Sequence, residues 1–333
     1  MSEETINIKT LKEILENPVI KDIAPNAISK WDLSKEEFYN WSLNEISTKM
    51  GWECIKSGLE TLLKNAEGGN YYFNLYSETE CRENPSKDKT NIVFFPSDDS
   101  KSNEKPFILL IPGGGFANVW NLTEGWPVAK NFNDLGYNVF ILTYQVGIDA
   151  SAVKAMDDIN KALDIITVRK DEFHINPKEY ITCGFSAGGY IACLWNTEKG
   201  YRAFSKAKPQ ACFPVYPVTS YRLLDSDEWD DGEDKDEFAR SGLGVNMQEA
   251  CNSCFEIPSH VEGFPKTAIF VAAEDELVDP KHSKLLAEAL NSVGIVCRLE
   301  IGPTGGHGFG NGMGMCMEGW PKRAIDFYEN LDD

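Results

Sequence analysis

The chain has 333 residues, 42% of them apolar and 25% charged, with a net charge of −20. That length supports one large hydrophobic core or two smaller ones, and the composition is that of a soluble globular protein. The acidic balance speaks against nucleic acid and anionic membrane as partners. The first residues, "MSEETINIKT", carry no basic stretch followed by an apolar one, and no apolar run is long enough for a bilayer span. The nine cysteines are scattered, so they read as reduced thiols of a cytoplasmic protein.

Residues 1–68 read as a helical extension. Ser34 with Glu37 and Ser42 with Glu45 have capping-box spacing. Trp52, Ile55, Leu59, Leu62 and Leu63 fall on one helical face, and Gly68 and Gly69 close the pattern. From residue 69 the texture changes. "YYFNLY" (71–76) and "NIVFF" (91–95) read as strands joined by a polar loop. "PFILLI" (106–111) is a third strand, followed by a helix from Trp126 to Leu135 and by the strand "YNVFILTY" (137–144). Val153, Met156, Ile159, Leu163 and Ile166 mark an amphipathic helix. "YITCGF" (180–185) is a strand that leads into a helix of small residues. "ACFPVYPV", "TAIFVAAE" and "VCRLEI" complete the strands, with a helix at 283–290 between the last two and a final helix at 320–331. Strands alternating with helices imply an α/β fold with a mostly parallel sheet covered on both faces. Residues 220–262 interrupt the rhythm with an acidic, polar insertion that reads as a lid.

In such sheets the chemistry sits beyond the carboxyl ends of the strands. Gly184-Phe185-Ser186-Ala187-Gly188 fits G-x-S-x-G at a strand-to-helix turn. Neighbours without side chains let strand and helix close up and lift the Ser186 hydroxyl clear of the backbone. A serine needs a base to take its proton, and the chain has four histidines. For this type of turn the base follows the last strand, and His307, in "TGGHGFG", does so. His174 and His282 read as surface or cap residues, and His260 lies in a loop before a strand. The carboxylate that orients the imidazole comes from "EDELVDP". Asp275 is the first choice because Val278 anchors that loop in the core. Glu274 is the second choice, and Asp279 reads as a helix cap. "PGGG" follows the buried third strand. Its amides, with Gly114 or Gly115 the inward donor, and the amide of Ala187 form a candidate oxyanion hole. Phe116, Trp120, Trp126 and Phe185 lie close enough in sequence to be substrate contacts. Cys251 and Cys254 have C-x-x-C spacing, but a zinc site would need two more ligands and only His260 is near, so they read as free thiols. No metal or cofactor is expected.

"PGGGF", "TEGWPVA", "GFSAGG", "EDELVDP" and "GGHGFG" together resemble the α/β-hydrolase superfamily. Within it they are similar to the bacterial acetyl esterase and acetylxylan esterase branch, related to hormone-sensitive-lipase-type carboxylesterases. The resemblance runs from about residue 69 onward, with Pro112 where many relatives carry histidine. It implies an α/β-hydrolase domain over 69–333. It also implies a serine esterase acting on small acyl esters, acetyl groups of hemicellulose-derived oligosaccharides among them. A serine peptidase or amide hydrolase on the same scaffold and a non-catalytic binding homologue are the competing readings.

Overall fold

The computed structural model describes residues 8, 10–21, 23, 52–226 and 234–330. The capping boxes at Ser34 and Ser42, and the most acidic part of the insertion, lie outside them. Eight strands form one sheet: β1 (Tyr72–Asn74), β2 (Asn91–Phe95), β3 (Phe107–Ile111), β4 (Val139–Thr143), β5 (Tyr180–Phe185), β6 (Ala211–Val215), β7 (Lys266–Ala272) and β8 (Cys297–Gly302). Their order is β1-β2-β4-β3-β5-β6-β7-β8. Only the pairings of β2, with β1 and with β4, are antiparallel. The chain has the α/β-hydrolase fold.

β2 to β6 are buried along their whole length, which is why their sequences are continuous apolar runs without alternation. The pleat still sorts the side chains. Phe107, Leu109 and Ile111 face the core shared with helices α4 (Ser151–Val168) and α5 (Ser186–Trp195). Ile108 and Leu110 face the opposite core with α2 (Trp52–Gly68), α3 (Trp126–Asp134) and α10 (Trp320–Glu329). The short helix α1 (Leu11–Leu15) joins this second core through Leu11, Ile14 and Leu15. After β6 come α6 (Tyr221–Asp225), α7 (Lys235–Leu243) and α8 (Met247–Asn252), and α9 (Lys281–Ser292) lies between β7 and β8. Among the described residues no helix is long and apolar enough to cross a membrane.

One local feature departs from the sequence reading. The segment between β1 and β2 is not all loop. Ser77 accepts from the Glu80 amide while the Glu80 carboxylate accepts from the Ser77 amide at 2.9 Å, and this capping box starts a helix over Glu78–Glu83. On α2, Ile55, Leu59 and Leu62 are fully buried. The helix packs so closely on α3 that a β-carbon on Gly58 would lie 2.5 Å from the Pro127 nitrogen. The first helix of that length therefore supports the segment that follows the triple glycine.

Candidate active site

The nucleophile turn is wedged between backbone segments. Ser186 has φ +50, the left-handed region that a side chain adopts only under constraint. A β-carbon on Gly184 would lie 2.3 Å from the Gly188 carbonyl oxygen. One on Gly188 would lie 2.2 Å from the Ile111 oxygen and 2.3 Å from that of Pro112. The glycines of the pentapeptide are thus the price of bringing β5, α5 and the end of β3 together. Ser186 sits at the amino end of α5, with 9% of its surface exposed.

The loop after β8 brings His307 to the serine. His307 Nε2 is 2.9 Å from Ser186 Oγ, and Nδ1 is 2.8 Å from Asp275 Oδ2. The Asp275 side chain is fully buried and that of His307 is 13% exposed. The other carboxylate oxygen of Asp275 accepts the Val278 amide at 2.9 Å and the Leu277 amide at 3.1 Å. Val278 itself is in the core. One residue thus fixes its own loop and faces the imidazole. Glu274 is exposed and makes no such contact, and Asp279 accepts the Lys281 amide at the start of α9.

The triple glycine turns beside this array. The Gly114 oxygen accepts the Ala117 and Asn118 amides, and the Gly113 oxygen accepts that of Trp120. A β-carbon on Gly114 (φ +135) would lie 2.2 Å from the Asn118 oxygen. The amides of Gly114, Gly115 and Ala187 have no protein acceptor among the described residues. They are free to donate to a developing oxyanion.

Three of the aromatic residues expected at the substrate are elsewhere. Phe116, Trp126 and Phe185 are fully buried. Phe116 (φ +61) turns under the loop and packs against Tyr190 and Phe238. Phe185 packs against Tyr216 and Trp320 on the opposite face of the sheet. Trp126 opens α3 and points into the second core. Trp120 alone is partly exposed. Of the other histidines, His174 is exposed at a helix end, whereas His282 is not a surface residue. Its Nδ1 accepts the Thr219 and Ser220 amides, both at 3.2 Å, and burial lowers its pKa to about 4. Cys251 is buried and Cys254 half-buried, both as free thiols.

Two residues that the sequence did not single out border the site. Glu124, buried in the turn before α3, accepts the Gly113 amide on Oε2 at 2.6 Å and the Tyr216 hydroxyl on Oε1 at 2.9 Å. Burial pushes its pKa up, against the two hydrogen bonds. The Tyr216 ring lies 4.7 Å from that of His307, and its hydroxyl accepts the Gly310 amide at 3.2 Å. A lone glutamate in "NLTEGWPVA", in the turn before α3, is the one signal that points to it.

The sequence pattern of the BD-FAE family matches residues 93–290. An endo-1,4-beta-xylanase B of Butyrivibrio fibrisolvens is 27% identical over 240 residues, covering 68% of this chain and 36% of that protein. An acetylxylan esterase of Xylanibacter ruminicola is 27% identical over 208 residues, covering 62% and 41%. The chain therefore spans less than half the length of these relatives. Among solved structures, the acetyl ester-xyloside bifunctional hydrolase of Caldicellulosiruptor lactoaceticus superposes with a TM-score of 0.63 at 24% identity, covering 78% of this chain and 95% of that one. The carboxylesterase Cest-2923 of Lactobacillus plantarum gives 0.55 at 17% identity, covering 72% and 91%. These likenesses of structure speak for the fold.

Proposed function

This chain belongs to the BD-FAE family, and on that premise we propose that it is a serine carboxylesterase that removes short acyl groups, acetyl foremost, through a covalent acyl-enzyme on Ser186. The observation that carries this reading is the position of the His307 ring, 2.9 Å from the serine hydroxyl on one side and 2.8 Å from the Asp275 carboxylate on the other. Ser186 Oγ attacks the ester carbonyl and its proton passes to His307 Nε2. Asp275 holds Nδ1–H and stabilises the imidazolium. The carbonyl oxygen becomes an anion facing the amides of Ala187 and of Gly114 or Gly115. His307 then protonates the leaving alcohol, water attacks the acyl-serine by the reverse route, and the acid departs.

The alcohol we assign is a sugar hydroxyl of a hemicellulose-derived oligosaccharide. The support is the acetylxylan esterase and the xylanase among the relatives. We assign the catalytic domain to residues 69–333; of the segment before it, the described helix α2 packs into the second core, and the described helices α6, α7 and α8 follow β6 as a lid. Phe238 and Gly242 of α7 lie against Phe116 beneath the oxyanion loop.

Turnover of p-nitrophenyl acetate, a longer-chain ester, an aminoacyl anilide and acetylated xylo-oligosaccharides tests the reading. Acetyl esters are expected to be hydrolysed fastest and the anilide not at all. Ser186→Ala is expected to lower kcat by about 10⁶. An anilide turned over faster than the esters would replace the esterase reading by a peptidase one. An active Ser186→Ala would remove it.

A further inference from the structure

Glu124 is a buried carboxylate that makes no contact with Ser186, His307 or Asp275, yet it joins the loops that carry the site. Gly113 opens the oxyanion loop and is confined: a β-carbon there would lie 2.7 Å from the Phe185 oxygen, 2.9 Å from Ser186 Cβ and 3.0 Å from Glu124 Oε2. Its amide is turned away from the substrate side by the 2.6 Å bond to Glu124, so the peptide direction of the loop is set at its first residue. The second carboxylate oxygen holds the Tyr216 hydroxyl, which in turn takes the Gly310 amide from the histidine loop. Tyr216 is itself held at φ +37, with its ring against His307 and Phe309. Both oxygens of Glu124 are engaged, one by the Gly113 amide and one by the Tyr216 hydroxyl.

We propose that Glu124 is a positioning residue of this site: it ties the oxyanion loop, through the Gly113 amide, to the histidine loop, through the Tyr216 hydroxyl, and places a second negative charge behind the His307 imidazole. The assignment rests on the serine-esterase reading. The titratable groups around the carboxylate are Tyr216, Tyr144, whose hydroxyl donates to the Pro112 oxygen, and His307. Asp275 acts on the same tyrosine from the other side. An imidazolium formed during the reaction therefore feels two carboxylates, Asp275 in contact and Glu124 through the field across Tyr216. Removal of the second charge leaves an imidazolium formed in the reaction with one carboxylate fewer to stabilise it.

The test is the kinetics of Glu124→Gln on p-nitrophenyl acetate as a function of pH. The glutamine oxygen keeps the Gly113 amide, but its NH₂ meets Tyr216 with a donor where an acceptor is needed. We expect kcat to fall about 10- to 100-fold with KM within about threefold. The acid limb of kcat/KM is expected to move to lower pH, because one negative charge near the imidazole is lost. Glu124→Asp, which keeps the charge, returns the acid limb toward the wild-type position while kcat stays low. Should Glu124→Gln not fold, Tyr216→Phe cuts one side of the tie with the loss of a single hydroxyl, and its kcat is expected to fall roughly 3- to 10-fold. A Glu124→Gln enzyme within about twofold of wild type, or a slow one whose acid limb has not moved, would overturn the assignment, as would Tyr216→Phe at full kcat. Ser186→Ala, assayed alongside with a fluorophosphonate label on the wild type, separates the two readings: failure of that control sinks the esterase itself, whereas failure of Glu124→Gln alone sinks only this inference.

Discussion

The nucleophile turn and the oxyanion loop both hold backbone in the left-handed region, Ser186 at φ +50 and Gly114 and Gly115 at +135 and +60, but they are kept there by different forces. The turn is wedged. Its glycines stand where any β-carbon would enter a neighbouring carbonyl, at 2.2–2.3 Å. The loop is tethered by hydrogen bonds, from Gly113 to Glu124 and from Ala117, Asn118 and Trp120 back to the glycine carbonyls. Gly114 is crowded too, its β-carbon lying 2.2 Å from the Asn118 oxygen, but at Gly115 a β-carbon would meet nothing within 4 Å. The contrast teaches where damage goes: a change in the wedged region is paid in folding, and a change in a tether is felt in the chemistry.

The largest effect expected tests the second half of that contrast. Asp275→Asn keeps an oxygen for the Leu277 and Val278 amides but no longer accepts from His307. It should lower kcat by about 10⁴ while thermal unfolding shifts by only a few degrees. A large loss of stability would show that this tether is structural after all. Gly188→Ala tests the first half. Overlap with two carbonyl oxygens is expected to cost upwards of about 4 kcal/mol in urea unfolding, or to prevent folding. Tolerance of the methyl would break the comparison.

A third tether lies outside the reaction. His282 holds the start of the 220–262 insertion by accepting two amides, and its pKa is lowered by burial from 6.5 to about 4. The unfolded chain takes up that proton first, so the contribution of neutral His282 to stability is complete above pH 6.5 and is lost as pH falls toward 4. The loss is about 3 kcal/mol. Asp158 works in the opposite direction. Burial raises its pKa from 3.8 to about 6 although Tyr76 and Gln145 hydrogen-bond to it, so the fold gains from its protonation over nearly the same range. The diagnostic is therefore the difference in unfolding free energy between pH 7 and pH 4 in the wild type and in His282→Asn, which keeps an acceptor without titrating. The variant should lack the acid loss. The smallest effect is the counterpart of Gly188: Gly115→Ala has room for its methyl and pays only for its positive φ, about 1 kcal/mol.

The same contrast explains what could be read from the chain. The strands of the sheet announce themselves because burial on both faces demands unbroken apolar runs, as in "FILLI" and "VFILT". Ser186, His307 and Asp275 could be grouped from the chain because a strained turn, a late glycine-rich loop and an acidic loop anchored by Val278 are local signatures, and the structure sets the three side chains within hydrogen-bond distance. The helix at Glu78–Glu83 escapes notice because its capping box lies in a polar stretch that also suits a loop. Phe116, Trp126 and Phe185 mislead for another reason. An aromatic side chain next to a site looks the same whether it faces substrate or core, and only the pleat and the packing of Tyr190, Phe238 and Trp320 decide. Glu124 and Tyr216 are invisible as a pair because they are 92 residues apart, and their bond exists only once β6 and α3 have been placed.

The separation of 121 positions between the serine and the histidine also has a temporal meaning. A ribosome adding about 5–20 residues per second needs roughly 6–24 s to travel that distance. During that interval the hydroxyl has left the synthesis centre and the imidazole that ends beside it has not been made. On the proposed reading, a nascent chain is therefore hydrolytically silent toward every ester it passes, and cleavage becomes possible only once the segment after β8 folds back onto the turn after β5.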